Sequence, residues 1–335
     1  MEFTHIPRLK EKVSRIGLGT WAIGGWMWGG SDENDSINTI LHALDSGINL
    51  IDTAPAYGFG VSEKIVGKAV KESGKRGQIL IATKFGLSWK DPQHVFRDAR
   101  KTTVLKEVEA SLKRLQTDYI DLYQLHWPDP LTPIGETAEA LLKLLFDGKI
   151  RSIGLSNCSV EQLETFRKIA PLHSIQAPFN LFEREIENEQ LAYALKHKLT
   201  VLGYSSLCRG LLSGKMSKNR KLKADDFRKT MDPKFAEPRF SQYLKCTKRL
   251  EEWAKDKYDK PLIALAIRWV LDKKINIALW GARKPEQLRG LESIFGWHLR
   301  ESDFEEIDQI IKETVLMPIG PEFMSPPIRE KRKVV

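Results

Sequence analysis

The sequence predicts a single-domain (β/α)8 TIM barrel of the α/β class, with an extra C-terminal helix and a long basic loop after the seventh strand. Three observations carry this prediction. Eight short runs are apolar along most of their length, amphipathic helical patterns fall between them, and no Pro/Gly/Ser-rich linker divides the 335 residues. Strands without a polar face, each followed by a helix, imply a parallel sheet covered by helices. Eight such units fit a closed barrel better than an open doubly wound sheet.

The strands are read at Arg15–Thr20, Ile48–Thr53, Ile79–Lys84, Ile120–His126, Ile150–Ser156, Ser174–Ala177, Thr200–Ser205 and Ile275–Trp280. Ile37, Ile40, Leu41 and Leu44 line one helical face. Ser159 with Gln162 reads as a capping box opening a helix that runs through Ile169. Ser302 with Glu305 reads as another, opening the extra helix after the eighth unit. Lys101–Leu115, Thr137–Phe146, Glu187–Lys196 and Ser241–Lys257 also read as helical. The whole chain, 1–335, is one domain with a tail over 318–335, whose basic stretch Arg329–Lys333 reads as a solvated terminus. Segment 207–240 breaks the rhythm with ten Lys/Arg against four Asp/Glu. A long loop in a compact domain is commonly functional or disordered. Most of its lysines read as solvated, and the remainder as a basic flap over an anionic ligand.

Composition narrows the function classes. The net charge of +9, from 53 basic and 44 acidic residues, suits an anionic partner, and a phosphorylated cofactor serves as well as nucleic acid. Cys158, Cys208 and Cys246 form no CxxC pair, which fits a reducing cytoplasm and small inert side chains. No apolar stretch approaches the ~18 residues that span a bilayer, and Met1–Arg15 has no signal-like apolar run. The seven histidines fall into no metal-binding spacing, so no metal is expected. Gly17-Leu18-Gly19-Thr20-Trp21-Ala22 matches GxGxxA but opens no helix for a pyrophosphate, so it is rejected as a dinucleotide fingerprint. Gly210–Met216 and Gly60–Ala69 depart from P-loop spacing.

Catalytic residues of such barrels sit at the C-terminal strand ends. Asp52 ends strand 2, and Tyr57 follows on the next loop. Lys84 ends strand 3 and His126 strand 4. Ser156-Asn157 ends strand 5, Gln176 lies on strand 6, Tyr204-Ser205 ends strand 7, and Arg283 follows strand 8. Singly, each could be a loop cap, a solvated strand end or a packed ring. Together they bring an acid, a base, an imidazole and a phenol to one mouth. A free tyrosine, with a pKa of about 10, is a poor donor near neutrality. An ammonium about 4 Å away stabilises its phenolate by roughly 4 kcal/mol at an effective dielectric near 20. Lys84 is therefore expected to lower the Tyr57 pKa, Asp52 to hold Lys84, and His126 to orient a carbonyl oxygen.

Asp52, Tyr57, Lys84 and His126 match the catalytic tetrad of the aldo-keto reductases. The stretches IDTAPAYGFG (51–60), ATKFG (82–86), DYIDLYQLHWPD (118–129), GKIRSIGLSN (148–157) and GARKPEQ (281–287) resemble that family's motifs. The likeness spans the chain. It is closest to the bacterial general-stress type of NADPH-dependent member, through SLCRGLLSGKM (206–216) and GPEFMSPP (320–327). The resemblance implies reversible NADPH-dependent reduction of aldehydes and ketones, with Tyr57 as general acid.

The resemblance also implies a cofactor site. Tyr204 stacks on the nicotinamide, and Ser156, Asn157 and Gln176 bond its carboxamide. Ser205, Ser206, Leu207, Cys208, Arg209, Gly210, Leu212 and Lys215 wrap the pyrophosphate. Arg283 grips the 2′-phosphate beside Gly281 and Ala282, and Gln287 lies by the adenine or its ribose. Thr20, Trp21 and Asp52 complete the cofactor side. Gly290 and Leu291 stand where much of the family carries Glu-Asn, which implies a weaker adenine clamp and fast NADP⁺ release. Trp280 replaces a proline common before GAR, which implies a different end to strand 8. Trp21, Trp28, Phe85 and Trp127 are read as substrate-pocket walls for apolar or neutral polar aldehydes, with Trp26 merely packing. The expected partner is a small carbonyl compound, with no nucleic acid or membrane, and the expected state is a monomer. Two competing readings are a cofactor-binding redox-sensing regulatory subunit and a lyase forming a Schiff base on Lys84.

Overall fold

In the computed structural model, which describes residues 1–330, eight parallel strands close into one barrel. They are Ile16–Gly19, Leu50–Asp52, Leu80–Phe85, Ile120–Leu125, Ile150–Ser156, Ser174–Pro178, Thr200–Tyr204 and Ile277–Gly281. Each pairs with its sequence neighbour, and the eighth closes on the first through Leu279 opposite Gly17. Every predicted strand is present, with ends differing by at most two residues.

Helices cover the outside. Lys101–Leu115 has the expected bounds, and Ser159 and Gln162 form the expected capping box. The final helix, Glu301–Thr314, differs at its start. The Asp303 carboxylate, not Glu305, closes the box by accepting from the Arg300 N–H at 2.7 Å. The choice is tertiary, because Lys257 reaches the same carboxylate at 2.7 Å. Val61–Ser73 and Leu262–Asp272 lie outside the helices read from the sequence. The first starts from a left-handed Gly60 rather than a capping side chain. The second is buried on nearly every side, which erases its polar face.

Strand alternation divides the barrel into two environments. Leu50, Leu80, Ala82, Leu122, Leu202, Ile277 and Leu279 point inward and form an apolar floor. The N-terminal hairpin, Phe3–Thr4 with Val13–Ser14, closes that floor from below through Ile6, Leu9 and Val13. The outward residues, including Ile51, Ile81, Phe85, Tyr123 and Leu125, pack with the helices. Continuing the inward rows upward brings Asp52, Lys84, Gln124, Gln176 and Tyr204 to the C-terminal mouth.

Segment 207–240 keeps most of its lysines exposed, as expected, at Lys215, Lys218, Lys221, Lys223 and Lys229, on a framework of built structure. Its short helical turns are Cys208–Ser213, Phe227–Thr230 and Pro233–Phe235. Arg209, Arg228 and Lys234 are buried and face Asp232, Asp226 and Glu183 at 2.6, 2.6 and 2.8 Å. Buried charges demand partners of this kind. The flap is pinned over the first βα loop, where the Phe227 N–H donates to Met27 O at 2.8 Å and Lys223 donates to Gly29 O.

The tail also differs from a solvated terminus. Arg97 Nε donates to Pro326 O at 2.8 Å, and Arg329 Nε donates to Asp129 Oδ2 at 3.0 Å. Residues 331–333 of the basic stretch lie outside the described residues. Arg97 itself belongs to a hairpin, Leu87–Trp89 with Val95–Arg97, that the strand pattern did not reveal.

Candidate active site

The loop carrying Tyr57 is held by close backbone contact. Gly58 is left-handed at φ +68°, and a Cβ there would overlap Gly24 O on the first βα loop. Only glycine meets both demands at once. Ser62 ties the same region together through Thr20 Oγ1 at 2.8 Å and Thr53 Oγ1 at 2.9 Å.

Within this frame Lys84 Nζ donates to Asp52 Oδ1 at 2.6 Å, Thr53 O at 2.9 Å and the Tyr57 hydroxyl at 3.2 Å. The three ammonium hydrogens are thus all used. Asp52 Oδ2 accepts from Gln176 Nε2 at 2.9 Å and Gln124 Nε2 at 3.2 Å. The His126 ring stands edge-on to Tyr57, with centroids 5.7 Å apart. Gln124 was missed in the sequence. Its inward parity, two residues before His126, is the signal that marks it.

The electrostatics correct one expectation. Burial, and then the Asp52 carboxylate, hold the Tyr57 phenol well above its ordinary value. Burial also lowers the Lys84 ammonium, against the pull of Asp52 and Glu63. His126 sits well below the usual imidazole range, because burial and the Lys84 charge both oppose a second cation. The row therefore contains a protonated phenol, an ion pair and a neutral imidazole.

Beside it runs a cleft lined by Thr20, Trp21, Asp52 and Tyr57, then Tyr204 to Leu207, Arg209, Gly210 and Lys215, and finally Gly281 to Arg283 and Gln287. Tyr204 donates through its hydroxyl to Asn157 Oδ1 at 3.0 Å, and Asn157 Nδ2 donates to His126 O at 2.9 Å. Asn157 also reaches the buried Ser156 Oγ at 3.0 Å. Gln176 is engaged with Asp52, so its amide N–H helps to hold the acid.

Ser205, Cys208, Arg209 and Gly210 all have positive φ, at +56°, +44°, +53° and +97°. Turns of this kind can gather backbone N–H groups into an anion-binding concavity. The Ser206 and Leu207 N–H groups have no hydrogen-bond partner among the described residues. The Cys208 and Leu212 side chains are fully buried in the core, so neither offers a side-chain contact to the cleft. Arg209 reaches the cleft but directs its guanidinium at Glu183 and Asp232.

Arg283 Nη1 donates to Trp28 O at 2.6 Å and Gly30 O at 2.8 Å. Burial, and then the nearby Arg228 charge, with Arg220 also adding to it, oppose the charge of Arg283. Asp226, which pairs with Arg228 at 2.6 Å, works in favour of that charge. Gln287 Oε1 accepts from the Arg283 N–H at 2.8 Å, and Trp280 donates to Gln287 O at 3.1 Å. The donor set thus fits a phosphorylated dinucleotide, with aromatic surface at one end, free N–H groups midway and guanidinium groups at the other end.

On the open side, Trp21 stacks on Tyr57 at 6.2 Å and meets Trp28 and Phe227 edge-on, each at 5.2 Å. Trp127 lies beneath Arg97, 5.7 Å from its guanidinium carbon. Trp26 packs on Phe59 at 4.8 Å. Phe85 does not line the pocket. It is fully buried against Tyr123, with ring centroids 4.8 Å apart, because it follows the inward Lys84 and so points outward. Phe227, on the flap, was missed because its position depends on a long-range backbone bond to Met27. Burial pushes the Cys158 and Cys208 thiols up to about 12, so neither is activated.

A buried phenol–ammonium–carboxylate row at the C-terminal mouth of a (β/α)8 barrel has the chemistry of an acid–base site. Comparison with known proteins specifies which kind. The profile described as "Aldo/keto reductase family" matches residues 15–312. Aldo-keto reductase YhdN of Bacillus subtilis (strain 168) is 58% identical over 332 residues, 99% of this chain and 100% of the relative. The NADH-specific methylglyoxal reductase of Escherichia coli (strain K12) is 36% identical over 308 residues, 87% of this chain and 92% of the relative. The structure of the glycerol dehydrogenase AKR11B4 from Gluconobacter oxydans is 50% identical with a TM-score of 0.86, covering 96% of this chain and 99% of that one. The chain belongs to the aldo/keto reductase family, oxidoreductases of carbonyl substrates that use nicotinamide cofactors. One of these relatives is described as NADH-specific, so family membership leaves the choice of nicotinamide cofactor to the chain's own residues.

Proposed function

We propose that the protein reduces aldehydes and ketones to alcohols with NADPH, reversibly, with Tyr57 delivering the proton. The observation that carries this reading is the Tyr57 hydroxyl 3.2 Å from a Lys84 ammonium that Asp52 holds at 2.6 Å. The bound nicotinamide supplies the hydride. His126, neutral, donates an N–H bond to the substrate oxygen and orients the carbonyl. Tyr57 gives its proton to that oxygen as it takes on alkoxide character, when it becomes a far stronger base than the phenolate left behind. Lys84 acts at that moment, stabilising the new phenolate across the 3.2 Å bond. In the reverse direction the phenolate accepts the alcohol proton.

Residues in the cleft and behind it divide the cofactor among them. Tyr204 provides a stacking face, while Ser156, Asn157 and Gln176 hold the carboxamide. The turn from Ser205, with Lys215, receives the pyrophosphate. Arg283, with Arg220 nearby, receives the 2′-phosphate, and Gln287 lies toward the adenosine. Segment 207–240 covers the bound cofactor. Gly290 is left-handed at φ +94° and Leu291 is buried, so neither side chain offers the adenine a polar contact. Cofactor release is correspondingly fast. Trp21, Trp28 and Trp127 favour apolar or neutral polar aldehydes. Three buried, unpaired thiols accord with work in a reducing cytoplasm.

The direct test is a panel of aldehydes, ketones and polyols followed by NADPH absorbance in both directions. NADPH binding without turnover on any of them would favour the regulatory-subunit reading instead. Arg283→Ala is expected to raise the KM for NADPH roughly 10- to 100-fold, the scale of one or two charged hydrogen bonds. The KM for NADH should hardly move, and an equal rise for both cofactors would defeat the 2′-phosphate assignment.

The neutral His126 adds a pH prediction. Its protonation is displaced well below the usual value of about 6.5, so the ring stays neutral as pH falls through that value. The profile of kcat/KM for reduction should show no break near pH 6.5, and a loss of one proton-dependent decade there would contradict the assignment.

A further inference from the structure

We propose that Glu183 is a positioning residue for cofactor binding. Acting through Arg209 and Asn180, it holds the Ser205–Gly210 turn in the left-handed form that leaves backbone N–H groups free in the cleft. The inference rests on the dinucleotide reading of that cleft.

Glu183 lies on the loop after strand 6, paired with Asn180 through an isolated bridge, and its side chain is fully buried. Four polar arms converge on its carboxylate. Arg209 approaches through Nη1 at 3.1 Å and through Nη2. Lys234 Nζ donates at 2.8 Å and Asn180 Nδ2 at 2.7 Å. Asp232 takes the remaining Arg209 arm, Nε, at 2.6 Å. Two cations are thus balanced by two anions inside the protein. Although burial would raise it, Arg209 and then Lys234 hold the Glu183 carboxyl down to about 2, so it is charged throughout the working range.

The cluster ties the first residue of the turn, Ser205, through two bonds, and Arg209 near the other end belongs to the cluster itself. Asn180 Nδ2 donates to Ser205 O at 3.1 Å, and Arg209 Nη1 donates to Ser205 Oγ at 3.3 Å. Within the turn, three non-glycine residues, Ser205, Cys208 and Arg209, sit in the left-handed region. Such conformations cost free energy and persist only where the surroundings over-determine them. The Arg209 side chain is only 2% exposed and its guanidinium is satisfied by carboxylates, so it has no free arm for a phosphate. Its contribution is the shape of the turn, and Glu183 provides the larger part of its anchorage.

The cluster belongs to no step of the reduction, so its loss should separate binding from chemistry. Glu183→Gln keeps the volume and removes the charge. Titration of tryptophan fluorescence with NADPH should show at least a tenfold higher Kd, whereas kcat at saturating cofactor stays within about threefold of the wild type. Adenosine 2′-monophosphate, which lacks the pyrophosphate, should bind the variant as it binds the wild type. An unchanged Kd for NADPH, or an equal weakening of the mononucleotide, would overturn the proposal. If Glu183→Gln does not fold, the charge-balanced Glu183→Gln/Lys234→Met takes its place under the same two criteria. Failure of the wild-type protein to bind NADPH would instead strike the dinucleotide reading itself, so the two failures are distinguishable.

Discussion

Tyr57→Phe is expected to lower the rate of carbonyl reduction by roughly 10²- to 10⁴-fold, the usual worth of a positioned general acid, while NADPH still binds within about twofold of the wild type. The change removes one oxygen and leaves the ring. The stacking with Trp21 and the edge contact with His126 are retained. Lys84 loses its longest bond, at 3.2 Å, and keeps those to Asp52 and Thr53. Neither the fold nor the cleft has reason to change, so the loss should fall on the proton transfer. Steady-state turnover of an aldehyde, beside a fluorescence titration with NADPH, separates the two. Near-normal turnover would remove Tyr57 from its assigned role.

Lys84→Met is expected to affect activity and stability together. The Lys84 and Asp52 side chains are 1% and 4% exposed. Removing the ammonium leaves a buried carboxylate facing two amide N–H groups and no cation. Breaking a buried pair in this way costs about 3–5 kcal/mol, whereas replacing both partners by neutral groups costs much less. The double variant Asp52→Asn/Lys84→Met should therefore regain most of the denaturation midpoint lost by the single variant, yet remain inactive because no ammonium meets the phenolate. A single variant as stable as the wild type, or an active double variant, would show that the pair does not hold the site as described.

Much of the site is legible in the linear chain because it obeys two local rules. Catalytic side chains sit at the C-terminal ends of strands, and strand residues alternate between the barrel interior and the helices. The first rule brings Asp52, Lys84 and His126 forward. The second, applied strictly, would also have found Gln124 and excluded Phe85, since Lys84 and its successor cannot share a face.

The flap obeys neither rule. Its ten basic residues look equivalent in sequence, but Arg209, Arg228 and Lys234 are turned inward onto acids while Lys215 and Arg220 remain exposed. The same applies to the tail, where Arg329 looks solvated in the sequence yet pairs with Asp129, 200 residues away.

The sequence by itself determined the eight-unit barrel and the residue types that can move a proton, since apolar periodicity and strand-end polarity are written within a few neighbouring positions. The tertiary structure alone decided which charges line the cleft and which neutralise one another in the interior. A buried charge takes its partner from whatever the fold brings within about 3 Å, and for Arg209 that partner is Glu183, 26 residues earlier in the chain.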